Sequence, residues 1–381
     1  MKIIQLVNTL AVGDGGPARN SFELNRAFNR LPACAADLVW LGGHIRDSVI
    51  FEEGKIVGEL PSPGPRKLGF TTNEGGRRIG LLSLLRSLQS ADVLILHGYY
   101  LPWVPIATIL GRIFGCRVFI MPHGALTARQ QRYGRLKKFI FDLGGGSITR
   151  VLLCSFVTGS AIEADELTSK FPRSTVQVAG VGVPMPKETK RDPAPHEPIR
   201  LLSLSRIADK KRIDLSIDAL SHLRSEGIDA VLTIAGEGPR PLMERLSAHA
   251  RSKGVLDSVE FVGQLAGTAK TAAFLAADFF LLPSEDENFG IGFAEAVSHG
   301  LPCVVSTNVA AARHLPYQAG RLVPDPTGRT LAAAVREMLS PTIYRTAQSA
   351  SRQFAVESLS WSAAVERWVK AVEETNGCKN K

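Results

Sequence analysis

The chain has 381 residues, 45% hydrophobic and 21% charged, with a formal net charge of +9. Its length exceeds what one hydrophobic core supports, so two globular domains are expected. No apolar run is long enough to span a bilayer, and the five cysteines (34, 116, 154, 303, 378) form no Cys-x-x-Cys pair, which argues against a membrane-spanning protein and a cysteine-based metal framework. Residues 1–8 read as a first strand and not as a signal peptide, because the apolar run is too short. A reduced, cytoplasmic protein is expected. The charge is uneven: residues 1–185 hold 21 Lys and Arg against 13 Asp and Glu, whereas residues 186–381 hold 24 against 23. One half therefore suits an anionic partner, and nucleic acid, a membrane surface or a phosphorylated lipid all qualify by charge.

Short apolar β-rich runs alternate with helical patterns, the signature of α/β architecture with parallel sheets. In the first half, strands are predicted at 2–8, 36–41, 92–97, 117–121, 151–155 and 176–181, with helices near 17–30, 77–89, 103–114, 126–141 and 158–169. In the second half, strands are predicted at 200–205, 230–235, 259–262, 278–282, 302–306 and 321–323, with helices near 213–225, 239–252, 268–276, 290–299 and 327–339. Residues 184–198 are rich in Pro and carry no apolar period, so they read as a linker. This divides the chain into a first domain over 1–183 and a second over 199–357, both doubly wound. Ligands of open parallel sheets sit outside the carboxyl ends of the strands, so two such halves facing each other would enclose a cleft. A final helix over 358–373 places Trp361, Ala364, Val365, Trp368 and Val372 on one stripe, which reads as packing.

Candidate chemistry gathers at strand ends. Gly13-Asp14-Gly15-Gly16-Pro17-Ala18 matches Gly-x-Gly-x-x-Ala as a pattern, but four residues separate it from the strand. The second strand also lacks a following acid for an adenosine ribose, which disfavours a nicotinamide or flavin enzyme. What remains is a Gly-rich loop where a ligand could approach backbone closely. His97 and His123 lie at the ends of neighbouring strands, and a neutral His123 there could donate to a sugar hydroxyl or a carbonyl. Ser205-Arg206-Ile207-Ala208-Asp209-Lys210-Lys211-Arg212 puts four cations after an apolar strand. Arg206 offers a planar fork and Lys211 a point charge, the pair needed to neutralise a leaving diphosphate. Arg129, Arg132, Arg135 and Lys138 recur every three residues on one predicted helix, with Leu126, Tyr133, Leu136, Phe139 and Ile140 as its apolar side, a pattern suited to an anionic membrane. Finally, Pro283-Ser284-Glu285-Asp286-Glu287-Asn288-Phe289-Gly290 follows a buried strand and opens a helix that carries Glu295. Helix-end amides favour an anion and carboxylates accept from hydroxyls, so phosphate on one and sugar on the other describes a sugar nucleotide.

Taken together, these residues resemble the family-4 retaining glycosyltransferases of the GT-B fold. The most specific part is Glu-x7-Glu, here Glu287 to Glu295, supported by Gly15-Gly16, Pro122-His123-Gly124, Arg206 with Lys211, and Ile234-Ala235-Gly236-Glu237-Gly238-Pro239. The resemblance implies two Rossmann-like domains with the last helix crossing back to the first. It implies a second domain that binds a UDP- or GDP-sugar as co-substrate, with no other cofactor and no metal. Arg206 and Lys211 would hold the diphosphate, and Asn288, Phe289 and Gly290 would supply backbone contacts. Glu287 would hold sugar hydroxyls, Glu295 the ribose, and Gly15, Gly16 and His123 would lie near the transferring sugar. The implied acceptor is a carbohydrate, lipid-linked in view of the basic first half, in polysaccharide or lipopolysaccharide synthesis. The basic half would then rest on the inner face of the cytoplasmic membrane, and no nucleic-acid partner is expected. A sugar-nucleotide epimerase and a non-catalytic nucleotide-sugar binder are the alternatives. Three positions depart from the family pattern: Arg212 where Gly is usual, Val181-Gly182-Val183 for Asn-Gly-Val, and the stretch Thr307–Leu315, to which no site role is given.

Overall fold

The computed structural model describes residues 1–10, 16–41, 49–52, 55–59, 68–72, 75–79, 81–131, 134–152 and 154–375. The chain divides into two compact units, Met1–Gly182 with Trp361–Lys381, and Val183–Ser360.

The first unit contains β1 (Lys2–Val7), β2 (Ala35–Trp40), the hairpin β3 (Val49–Glu52) with β4 (Lys55–Glu59), and the hairpin β5 (Leu68–Thr72) with β6 (Gly75–Ile79). It continues with β7 (Val93–His97), β8 (Arg117–Met121), β9 (Ser155–Thr158) and β10 (Val176–Val178). Six parallel strands run in the order β10-β9-β8-β7-β1-β2, and β5-β6 extends the sheet antiparallel beyond β2. The parallel strands are apolar without alternation because helices cover both faces. Val93, Leu94, Ile95 and Leu96 are all fully buried. Leu94 and Leu96 pack with Ile4, Leu6 and Ile120 on one face, and Val93 and Ile95 pack with Ile3 and Phe119 on the other. That second face is covered by the last helix, Trp361–Glu374, whose Trp368 lies edge-on to Phe28 and Phe119, each at 6.1 Å between ring centres. The packing reading of the tryptophan stripe is what the structure shows.

Three local expectations shift. The helix expected at 77–89 starts only at Leu81, because residues 75–79 pair as a strand against 68–72; the edge of β2 that anchors this hairpin is a tertiary partner that local periodicity does not see. The strand expected at 151–155 lies at Ser155–Thr158, since Val151 closes the helix Gly145–Val151 and pairing with β8 sets the register. The basic helix expected over 126–141 is two helices, Ala128–Gln131 and Arg135–Leu143, separated at Gly134, whose φ of 64° is left-handed. Arg132 and Tyr133 lie outside the described residues.

The second unit contains β11 (Ile199–Leu204), β12 (Ala230–Ala235), β13 (Val259–Gly263), β14 (Phe279–Leu282), β15 (Cys303–Ser306) and β16 (Gly320–Val323). All are parallel, in the order β13-β12-β11-β14-β15-β16. The strand order reverses between β11 and β14, which opens a crevice at their carboxyl ends. Successive residues face opposite layers: Leu201, Phe279 and Leu281 enter one core, while Leu202, Phe280 and Leu282 enter the other. The doubly wound architecture expected from the alternation is thus present in both units.

The Pro-rich stretch 184–198 is held by the second unit. Lys190 N–H donates to His299 O at 2.7 Å, and Arg352 Nη2 to Pro186 O at 3.0 Å. Asp278, fully buried just before β14, accepts from the backbone N–H of His196 and Arg200 and from Tyr344 Oη at 2.9 Å. Its neighbours Asp192 and His196 bring three ligand-type atoms within 4.8 Å of one another. The buried Lys190 ammonium pairs with Asp192 and lies 3.7 Å from Asp278, so positive charge is already present. This cluster sits at the amino end of β14, away from the crevice, and clamps 190–198 to the sheet.

Candidate active site

The basic loop leaves β11 at the crevice. Ser205 N–H donates to Ala235 O at 3.1 Å and Ile207 N–H to Glu237 O at 2.8 Å, so the loop is sewn to the segment that follows β12. Glycine makes this approach possible: a Cβ on Gly236 would lie 1.9 Å from Ser205 O, and one on Gly238 would lie 2.3 Å from Ile207 O. A single turn, Asp209–Lys211, then leads to Arg212, which starts the helix Ile213–Ser225 from a left-handed conformation (φ 49°, ψ 47°). The family's usual Gly would adopt this geometry without strain, whereas a side chain there costs about 1 kcal/mol or more. The chain keeps the turn with Arg212 and ties it down electrostatically. Its guanidinium contacts Asp214 at 2.9–3.2 Å and Glu285 at 3.0 Å.

That last contact crosses to the acidic loop after β14. Glu285 N–H donates to Lys210 O at 2.9 Å, and Lys210 Nζ lies 3.3 Å from Asp286. Lys211 pairs with Glu287, both largely buried, with side chains 9% and 17% exposed. Burial, together with the charges of Lys210 and Arg206, pushes the Lys211 ammonium down from the ordinary 10.5 to about 8; Asp286 acts the other way. Arg206 itself is exposed. The crevice therefore presents an exposed guanidinium and a buried ammonium paired with the carboxylate of Glu287.

Asn288 and Phe289 continue the acidic loop, and Phe289 packs on the adjoining core. Gly290 (φ 96°) opens the helix Ile291–Ser298; a Cβ there would lie 2.6 Å from Val309 Cγ1. A Cβ on Gly292 would lie 2.5 Å from Leu204 O, so this helix begins hard against the end of β11. The atypical stretch 307–315 supports the same loop: Glu287 N–H donates to Asn308 O (3.2 Å), Ala310 N–H to Glu287 O (3.2 Å) and Ala311 N–H to Phe289 O (2.9 Å). Glu295 is buried one turn into the helix and accepts from Lys270 Nζ at 2.6 Å. Lys270 had no signal in the sequence: it is a lone cation in an Ala-rich helix, and only the fold brings it to Glu295.

The remaining predicted residues belong to the first unit. Gly15 lies outside the described residues, and Gly16 is the first residue of the helix Gly16–Phe28. His123 follows β8 in a turn with φ 55° and is partly exposed. Gly124 N–H donates to the buried Glu163 Oε1 at 2.6 Å, which anchors the turn. His123 Nε2 lies 2.9 Å from His97 Nδ1, His97 Nε2 lies 2.8 Å from Gln5 Oε1, and Gln5 Nε2 donates to Asn25 Oδ1 at 3.1 Å. The relay dictates tautomers. Gln5 presents an acceptor, so His97 carries its proton on Nε2, and its Nδ1 must accept from His123 Nε2–H. Burial lowers both imidazole pKa values, that of His123 to about 4, so both rings are neutral at pH 7. His123 then offers Nδ1 as an acceptor. With the Gln5 amide in this orientation, a sugar hydroxyl would donate to it.

Of the ten predicted site residues, the second unit brings together Arg206, Lys211, Glu287, Asn288, Phe289, Gly290 and Glu295. Residues 185–353 match the family "Glycosyl transferases group 1". The GDP-mannose-dependent alpha-(1-6)-phosphatidylinositol dimannoside mannosyltransferase of Mycobacterium tuberculosis is 35% identical over 143 residues, covering 37% of this chain and 36% of the relative. The glycogen synthase of the same species is 32% identical over 214 residues, covering 54% and 51%. The chain thus matches about half the length, or less, of these curated relatives. In fold, Anabaena HepE solved with UDP and glucose aligns over 98% of this chain and 99% of its own, at TM-score 0.63 and 13% identity. The chain has the GT-B fold class, and its residues 185–353 are similar to the glycosyl transferases group 1 family.

Proposed function

We propose that the protein is a glycosyltransferase that moves a hexosyl group from a UDP- or GDP-sugar to a carbohydrate acceptor, lipid-linked, with retention of anomeric configuration. The observation that carries this reading is the pairing of Lys211 with Glu287, within reach of the Arg206 charge, at the reversal of strand order, where open α/β sheets bind ligands. Breaking a glycosidic bond to a nucleoside diphosphate leaves negative charge on the β-phosphate. Arg206 and Lys211 are the groups to absorb that charge as it develops, a stabilisation worth most where water is scarce. The amides around Asn288-Phe289-Gly290 favour phosphate oxygens, and Glu287 accepts from sugar hydroxyls. Glu295, held in place by Lys270, accepts from the nucleotide ribose. By resemblance, Gly15, Gly16 and His123 serve the transferring sugar from the acceptor-side unit, with His123 Nδ1 accepting from a hydroxyl. The mannosyltransferase relative, named for a phosphatidylinositol acceptor, and the UDP and glucose in HepE support the lipid-linked acceptor and the nucleotide-sugar donor.

Thermal melts across a panel of sugar nucleotides test the donor, because a ligand that binds only the folded state raises its stability. The matching donor should raise the melting temperature by several degrees at saturating concentration. Product NMR then reads anomeric configuration. If no sugar nucleotide stabilises the fold, or if a sugar epimer accumulates without acceptor, the assignment fails.

A further inference from the structure

We propose that the helix Arg135–Leu143, with the outer face of the neighbouring helix Trp103–Ile113, docks this chain on the surface of an anionic lipid bilayer. Leu136, Phe139, Ile140 and Leu143 are spaced as one stripe of a helix, and a globular domain turns such a stripe inward. Here it faces outward: the four are 61–72% exposed. The inward contact is made by Phe141, edge-on to Tyr99 at 5.6 Å and to Tyr100 at 5.4 Å. The same inversion occurs on Trp103–Ile113. Its Val104, Ala107, Thr108 and Gly111 are buried, while Ile106 and Ile113 are 60% and 69% exposed. The helix Gly145–Val151 packs against both and ends in the exposed Val151. Isolated apolar residues on a surface need no explanation, but two helices packed on the same third helix, each with exposed apolar residues, mark a docking face.

Charge decides the occupant. Residues 103–152 hold eight Lys and Arg against one acid, Asp142, and so carry nearly all the excess positive charge of the first half. Asp142 is itself 3.7 Å from Lys170, while Arg135 and Lys137 are exposed beside the apolar stripe. An apolar face rimmed by cations suits a lipid surface in which acyl chains receive the side chains and anionic headgroups meet the ammonium and guanidinium groups. A second copy of the chain would set the same positive charge against itself across a two-fold interface. The proposal deepens the lipid-linked acceptor reading, yet its test requires neither donor nor acceptor.

The test is flotation of the full chain with phosphatidylcholine vesicles, with and without phosphatidylglycerol. The wild type should float with the anionic vesicles and stay behind with the neutral ones. F139S/I140S should lower the bound fraction on anionic vesicles by about tenfold or more. R135E/K137E should lower it by about fivefold or more per cation and reduce the salt sensitivity. All four positions are solvent-exposed or rim positions, so thermal melts of the variants should match wild type. Equal binding to neutral and anionic vesicles, or wild-type flotation by F139S/I140S, would overturn the proposal. So would a dimer in sedimentation that F139S/I140S dissociates, with no vesicle binding by the wild type. None of these outcomes bears on donor binding.

Discussion

Replacing Lys211 by Met removes a buried ammonium and keeps most of its volume. An ammonium about 4 Å from a developing phosphate charge, at an effective dielectric of about 20, is worth about 4 kcal/mol. That is about three powers of ten in rate, the upper end of what deleting one transition-state donor costs. A fall in kcat of about a hundred- to thousandfold is expected, measured as nucleotide release with the matched donor and acceptor. The pH profile makes the test specific. Burial, Lys210 and Arg206 lower the Lys211 pKa toward about 8, and the paired Glu287 carboxylate raises it. Lys211 therefore loses its proton below its ordinary 10.5, and kcat/KM should fall on an alkaline limb between about pH 8 and 10.5. Lys211→Arg keeps its charge over the whole range and should lose the limb, whatever its absolute rate. Stability moves the opposite way. The folded pKa lies below the unfolded 10.5, so the unfolded chain binds more protons between about 8 and 10.5, and this group adds stability as pH rises through that window. The gain is at most about 3 kcal/mol and should vanish in Lys211→Met. A folded Lys211→Met protein with wild-type kcat, or an unmoved limb in Lys211→Arg, would refute the assignment.

Three further outcomes follow from the geometry. Glu287→Gln should cost kcat/KM about ten- to a hundredfold while leaving affinity for the nucleoside diphosphate within a few-fold, whereas Glu295→Gln should weaken the nucleoside diphosphate itself; isothermal titration with and without the sugar separates the two. Gly236→Ala would place a methyl group against Ser205 O at 1.9 Å, so the basic loop must move. A fall of about 1–3 kcal/mol in stability by denaturant titration is expected, together with weaker donor binding. His97→Phe removes the acceptor that holds the Nε2–H tautomer of His123. Nitrogen chemical shifts of His123 should then report mixed tautomers, and an unchanged Nε2–H population would contradict the relay.

Much of the fold is legible in the chain because it rests on local patterns. Buried parallel strands such as Val93–Leu96 are uninterrupted apolar runs, and their alternation with helical periods implies doubly wound sheets whatever the side chains do afterwards. The failures fall where a local pattern has two physical solutions. Val151–Cys154 is as apolar as a strand, but pairing with β8 begins at Ser155. The stretch 126–141 has one helical period, but Gly134 in a left-handed conformation breaks it in two. For Leu136, Phe139 and Ile140, periodicity alone does not say that the apolar side faces outward, because exposure depends on what else covers the core.

The available chemistry is written in the chain: two cations after one strand, two glutamates eight residues apart after another, and glycines where backbone must pass close. Side-chain type and spacing along one strand end are properties of the chain alone. Their meeting depends on how the strands are ordered in the sheet. β11 and β14 are adjacent through a reversal of strand order, which brings Lys211 against Glu287 from 76 positions away in the chain. The same folding supplied Lys270 to Glu295, held Arg212 in a glycine's conformation with Asp214 and Glu285, and linked His123 to His97, Gln5 and Asn25. Each depends on a partner distant in sequence, and a partner of that kind enters only when the sheet is assembled.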